Sequence, residues 1–125
     1  MKIPIYIIED DLENLLLLKI LLNKCYPELT VIGVAQDILE MNKLLLQDEA
    51  EIIFLDIELK DGYLSLEELG PFKHLKHKII TTTSSQRLSK KAKDEFAIEH
   101  NLLKPLELNA LKTSIIKILE NRLQL

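Results

Sequence analysis

The sequence predicts a three-layer α/β fold, a central parallel sheet with helices on both faces. Two observations carry this expectation. Along the whole chain, short apolar runs rich in β-branched residues alternate with segments of helical period, strand then helix, five times over. The runs Ile5–Ile8 and Ile52–Leu55 are also continuously apolar, which suits strands covered on both sides. The 125 residues are 47% hydrophobic and 29% charged, the composition of one globular domain spanning residues 1–125.

Taken in order, Ile3–Ile8 is a strand stopped by the acids Glu9, Asp10 and Asp11. Leu12–Cys25 is Leu-rich with good helix formers, and Pro27 forbids its continuation. Leu29–Val34 reads as a second strand. Asp37 can cap a helix over Ile38–Gln47 that carries Leu39, Leu44, Leu45 and Leu46. Ile52–Leu55 is a third strand ending on Asp56, and Asp61-Gly62 marks a turn. A short helix starts at Ser65 and is expected to close at Gly70-Pro71. Lys78–Thr83 is a fourth strand, followed by a Lys-rich helix over Gln86–Asp94. Phe96-Ala97-Ile98 leads to a fifth strand around Asn101–Leu103. After Lys104-Pro105, Leu108–Leu123 is a last helix whose Leu108, Leu111, Ile115 and Leu119 form one stripe.

Composition excludes several classes. Sixteen Lys and Arg against twenty Asp and Glu give a formal charge of −4, which argues against this domain gripping a nucleic-acid backbone or an anionic membrane. One cysteine, Cys25, rules out an intrachain disulfide and a multi-cysteine zinc site. The richest apolar stretch, Leu15–Leu22, contains Lys19 and falls well short of the about 18 apolar residues of a membrane span. The apolar start meets Glu9 too soon for a secretory signal, so a cytoplasmic location is expected.

In parallel α/β sheets ligands bind beyond the carboxyl ends of the strands. Those ends here are Glu9-Asp10-Asp11, Asp56, Thr83-Ser84-Ser85 and Lys104-Pro105. If the first and third strands are neighbours, several carboxylates crowd one spot and cannot all ionise without a cation. Mg²⁺ suits them, being bound through oxygen by one or two carboxylates and several waters. A lysine and a hydroxyl at the same rim add what a phosphoryl group needs. An aspartate is a competent phosphoryl acceptor. Asp56 is therefore the expected nucleophile, Asp10 a metal ligand and Glu9 a ligand through water. Lys104 is the charge clamp and Thr83 the phosphate-sensing hydroxyl.

With these motifs in place, the sequence resembles the receiver domains of bacterial two-component response regulators. Ile7-Ile8-Glu9-Asp10-Asp11, Phe54-Leu55-Asp56-Ile57-Glu58-Leu59-Lys60-Asp61-Gly62, Ile79-Ile80 through Thr83-Ser84, and Leu102-Leu103-Lys104-Pro105 occur in the family's order and spacing. The resemblance implies a flavodoxin-like (βα)5 fold with strand order 2-1-3-4-5. It also implies Mg²⁺-dependent transfer of a phosphoryl group from a kinase phosphohistidine to Asp56, and no enzymatic activity beyond that transfer and its reversal by hydrolysis. Asp10, Asp56 and the main-chain carbonyl of Glu58 are then the protein ligands of the metal. The Leu-Lys-Asp-Gly and Leu-Leu-Lys-Pro stretches look most like receivers attached to LytTR-type DNA-binding domains. The expected partners are a sensor histidine kinase or phosphotransfer protein, and a second copy across the Lys-rich helix, fifth strand and last helix. Leu125 follows directly on the last helix, which is compatible with a stand-alone regulator and with a receiver cut from a longer one.

The pattern has departures. Lys60 stands where many receivers carry Pro, and Ser65 where relatives often carry Gly. Asn101 stands where many carry Tyr or Phe, which puts the usual threonine–aromatic coupling in question. His100 is expected on the opposite face, and His74 and His77 at the surface. Seven of the eight residues Leu15–Leu22 are apolar, wider than one stripe needs. Burial between the sheet and the last helix accounts for that width, and a docking face beside the acids is the other account. Two rival functions remain: a small Mg²⁺-dependent phosphatase with Glu58 as second acid, and a degenerate receiver acting only as an interaction module.

Overall fold

The computed structural model of the chain describes residues 2–60 and 64–122. The expected turn at Asp61-Gly62 and the helix end at Leu123 lie outside the described residues. The apolar runs become strands β1 (Ile3–Ile8), β2 (Leu29–Ala35), β3 (Ile52–Asp56), β4 (Ile79–Thr83) and β5 (His100–Leu103). All pair in parallel, in the order β2-β1-β3-β4-β5, the flavodoxin-like arrangement. The α-helices among the described residues are α1 (Leu12–Cys25), α2 (Ile38–Gln47) and α3 (Gln86–Asp94), which follow β1, β2 and β4, and α4 (Leu108–Arg122), which follows β5.

Side-chain alternation along the strands divides the core in two. Ile3, Ile5, Ile7, Ile52, Phe54 and Ile80 face α1 and α4. Tyr6, Ile8, Ile53, Leu55 and Ile79 face the opposite layer, which contains α2 and α3. Helix starts are set by short polar side chains that accept otherwise unpaired N–H groups. Asp11 accepts from Asn14 N–H at 3.0 Å and Asp37 from Glu40 N–H at 2.8 Å. Ser85 accepts from Leu88 N–H at 3.1 Å and so begins α3.

The third helical segment corrects the sequence expectation. Gly70-Pro71 does not close it; 3₁₀ winding runs over Ser65–Lys78, with one break in the backbone angles at Phe72. The reason is in the spacing. Leu66, Leu69, Phe72 and Leu75 recur every third residue and are all buried, which matches the three residues per turn of a 3₁₀ helix rather than 3.6. Gly70 is not needed for its conformational freedom, since a Cβ there would meet nothing within 4 Å.

Other expectations about apolar faces are also revised. On α1 the buried residues are Leu15, Leu18, Leu22 and Cys25 only. Leu12, Leu16 and Ile20, four residues apart, are 62%, 60% and 54% exposed. Burial therefore does not account for the width of this helix. On α4, Leu111, Ile115 and Leu119 are buried with Ile118, while Leu108 lies at the exposed start. On α2, Met41 and Leu45 are buried and Leu39 and Leu46 face outward. Within the described residues no helix is long and apolar enough to cross a membrane.

The 3₁₀ reading predicts a contrast between neighbours. Gly70→Ala should leave stability unchanged or raise it by up to about 1 kcal/mol, through a less flexible unfolded chain. Leu69→Ala should cost roughly 2–5 kcal/mol by opening a cavity. Urea midpoints of the two variants check this; a large loss at Gly70 would contradict the open surroundings seen there.

Candidate functional site

The sheet register brings the strand ends together. Ile8 of β1 lies opposite Leu55 of β3, so Glu9 and Asp10 follow at the level of Asp56. Asp56 lies opposite Thr82 of β4, and Thr83 opposite Leu103 of β5, so Lys104 emerges at the same rim. Carboxylate oxygens of Glu9, Asp10 and Asp56 all lie within 4.8 Å of one another. The Lys104 ammonium is 3.2 Å from Glu9 Oε1 and 3.2 Å from Asp56 Oδ2. These four predicted residues thus converge on one cavity of about 340 Å³.

Backbone groups hold the two buried acids. Asp11 N–H donates to Glu9 Oε2 at 3.2 Å. Glu58 N–H donates to Asp56 Oδ1 at 3.0 Å. The fully buried Ser65 hydroxyl donates to the Asp56 carbonyl at 2.8 Å, pinning the end of β3 to the 3₁₀ segment. Ser65 is therefore a positioning residue, where the sequence showed only a helix start and a departure from the relatives' Gly. A small hydroxyl residue nine positions after an acidic strand end was the available sign, and nothing local gave it a partner.

The electrostatics follow from crowding. Burial pushes the Glu9 carboxyl up from its ordinary 4.5 to about 7, aided by the nearby Asp56 charge and opposed by Lys104 and the Asp11 N–H. Burial alone would depress the Lys104 ammonium, but Asp56 and Glu9 outweigh it and hold it above the usual lysine range. Three carboxylates against one ammonium leave a surplus of negative charge, and every donor in the cluster is an oxygen. That donor set fits a hard divalent cation such as Mg²⁺.

The remaining predicted residues sit around this core. Thr83 does not line the cavity; Ser84 does. The Thr83 hydroxyl donates to Glu58 Oε1 at 3.1 Å and accepts the Ser85 N–H at 3.1 Å. Lys60 lines the cavity, so its side chain belongs to the site's surroundings rather than to a remote loop. Asn101 accepts from the Thr81 hydroxyl at 2.5 Å and donates to the Ile98 carbonyl at 2.8 Å. His100, next in the strand, is buried, and its imidazole is pushed below the usual histidine range by that burial, with Glu99 opposing and Lys117 assisting. His74 and His77 are exposed. Beside the acids a second cleft of about 320 Å³ opens between α1 and the segment after β5, walled by Leu17, Leu18, Thr82, Pro105 and Leu106.

Comparison with known proteins gives a likeness in structure. No protein-family model matches the chain, and no curated protein matches its sequence. Solved structures do. The signal receiver domain of a modulated diguanylate cyclase from Desulfovibrio desulfuricans G20 superposes with a TM-score of 0.77 at 24% identity, covering 100% of both chains. A two-component response regulator from Clostridium difficile gives 0.77 at 23% identity, over 95% of this chain and 97% of that one. The signal receiver domain of an HD domain-containing protein from Pseudomonas fluorescens Pf-5 gives 0.78 at 19% identity, over 100% of both. At these identities the likeness establishes the fold.

The raised Glu9 carboxyl carries a pH signature. The fold binds this proton more tightly than the unfolded chain does, so the contribution is full below about 4.5 and is lost as pH rises through about 7. In metal-free buffer, Glu9→Gln should fall less in stability than the wild type between pH 5 and 8. Parallel urea-midpoint curves for the two proteins would contradict this.

Proposed function

We propose that this chain is a receiver domain of a two-component response regulator, which accepts a phosphoryl group on Asp56. The observation that supports this most strongly is the convergence of Asp56, Glu9, Asp10 and Lys104 at one rim of a fold shared with receiver domains. In the reaction, an Asp56 carboxylate oxygen attacks phosphorus. The bond to the donor's histidine nitrogen breaks, and an acyl phosphate forms. Lys104 is placed to neutralise the phosphoryl oxygens as they leave the donor. Asp10, Asp56 and the Glu58 carbonyl would hold Mg²⁺, with Glu9 through water, and the ion would supply further charge neutralisation there. No other turnover is part of this reading: the domain catalyses its own phosphoryl transfer and hydrolysis.

Partners follow from the surfaces next to the site. The exposed stripe Leu12, Leu16 and Ile20 and the cleft beside Leu17 give a kinase or phosphotransfer protein an apolar face adjoining the acceptor. The face made by α3, β5 and α4 is the proposed self-association surface, and a LytTR-type DNA-binding output the proposed context. Asn101 bears on how the switch works. Both ends of its amide are hydrogen bonded, which supports a receiver whose signal does not travel by rotation of the side chain at this position.

Asp56→Asn should abolish labelling by a small-molecule phosphodonor in Mg²⁺, and persistent labelling would refute the assigned acceptor. Leu16→Asp should leave that labelling within about twofold of wild type but slow transfer from a kinase on the order of tenfold, the scale of one lost apolar anchor. Equal effects on both routes would remove α1 from the docking surface. Beryllofluoride with Mg²⁺ should perturb the wild-type spectrum; silence would favour the inert interaction module.

A further inference from the structure

Thr83 is occupied before any phosphoryl group arrives. A hydroxyl has a single proton to donate, and that of Thr83 goes to Glu58 Oε1 at 3.1 Å. Glu58 is anchored at the acceptor, because its own N–H donates to Asp56 Oδ1 at 3.0 Å. On the other side, the Thr83 oxygen accepts the N–H of Ser85, and the Ser85 hydroxyl caps the first turn of α3 through Leu88 N–H. One unbroken chain of hydrogen bonds therefore runs from the Asp56 carboxylate through Glu58, Thr83 and Ser85 into α3. The neighbouring strand offers no alternative of this kind, since Asn101 is tied at both ends of its amide.

We propose that the Glu58 carboxylate is a latch that holds the Thr83 hydroxyl away from Asp56 in the resting protein, and that its release loosens the cap of α3. The proposal rests on the receiver reading above. A phosphoryl group on Asp56 brings about −1.5 to −2 charges within two residues of the Glu58 carboxylate. It repels that carboxylate and competes with it as the stronger acceptor for the Thr83 proton. When the Thr83 side chain rotates to bring its hydroxyl to the phosphoryl oxygens, the oxygen moves away from the Ser85 N–H. Glu58 is thus a positioning residue, acting through Thr83. Its main-chain carbonyl, assigned to the metal, is untouched by changes to its side chain.

The test uses the whole chain with beryllofluoride and Mg²⁺ standing in for the phosphoryl group. Hydrogen exchange is followed at Leu88 and Ser89 in the first turn of α3. In the wild type, beryllofluoride should speed exchange there. Glu58→Ala should show faster exchange without beryllofluoride and bind it about tenfold more tightly, the scale of one hydrogen bond to a charged group. Glu58→Gln keeps an acceptor oxygen for Thr83, so its resting exchange should return to the wild-type rate. In a Thr83→Val background, Glu58→Ala should add nothing to α3 exchange. If the wild type responds to beryllofluoride but Glu58→Ala exchanges like the wild type at rest, the latch is wrong and the receiver reading stands. If beryllofluoride binds the wild type without speeding exchange in α3, the latch likewise falls alone; if it does not bind the wild type at all, the receiver reading falls and the latch with it.

Discussion

The contact of one half-buried ammonium with two buried carboxylates is what the rest of the site depends on. Lys104 reaches Glu9 and Asp56 at 3.2 Å each, across residues that are distant in sequence. Without that cation, Glu9 and Asp56 would face each other and Asp10 with no compensating charge among them. With it, one of the three negative charges is balanced and the remainder is left for a dication. The balance is incomplete, and burial together with the neighbouring Asp56 holds the Glu9 carboxyl above its ordinary range. An all-oxygen donor set with this charge suits a hard divalent cation.

The sheet supplies the geometry for this contact. Parallel pairing sends the carboxyl ends of β1, β3, β4 and β5 to a common edge, and continuous apolar strands lock the register because both faces are buried. The end of β3 is secured further by Ser65, whose hydroxyl reaches back to the Asp56 carbonyl. The 3₁₀ segment that presents Ser65 is itself held by an every-third-residue row of buried side chains. Packing on the far side of the sheet thus contributes to the position of the carboxylate at its rim.

The side of the site facing α3 is built differently. Polar hydrogen bonds, not apolar packing, link Glu58, Thr83 and Ser85 there. Such bonds can exchange partners at little net cost, whereas the apolar contacts under β1 and β3 cannot rearrange without opening voids. The acids and Lys104 thus rest on apolar packing, while the wall toward α3 is held by polar hydrogen bonds. Asn101 is closed off by Thr81 and Ile98.

Local sequence determined the strands, the sites of the helix caps at Asp11 and Asp37, and the identity of the acids and lysine at the strand ends. These are written in short windows: an apolar run, a capping residue before a helical period, an acid after the last strand residue. The 3₁₀ winding was also present in the spacing of Leu66, Leu69, Phe72 and Leu75, masked by the stronger local signal of Gly70-Pro71. Tertiary structure alone decided which apolar residues face water. Leu12, Leu16 and Ile20 are chemically the equals of Leu15, Leu18 and Leu22, and only the placement of α4 and the sheet separates them. It alone decided, too, the partners of Thr83, Ser65 and Asn101, because a hydroxyl or amide carries no local mark of the distant group it will bond. Such choices depend on which strands become neighbours, and that is settled by packing over the whole chain.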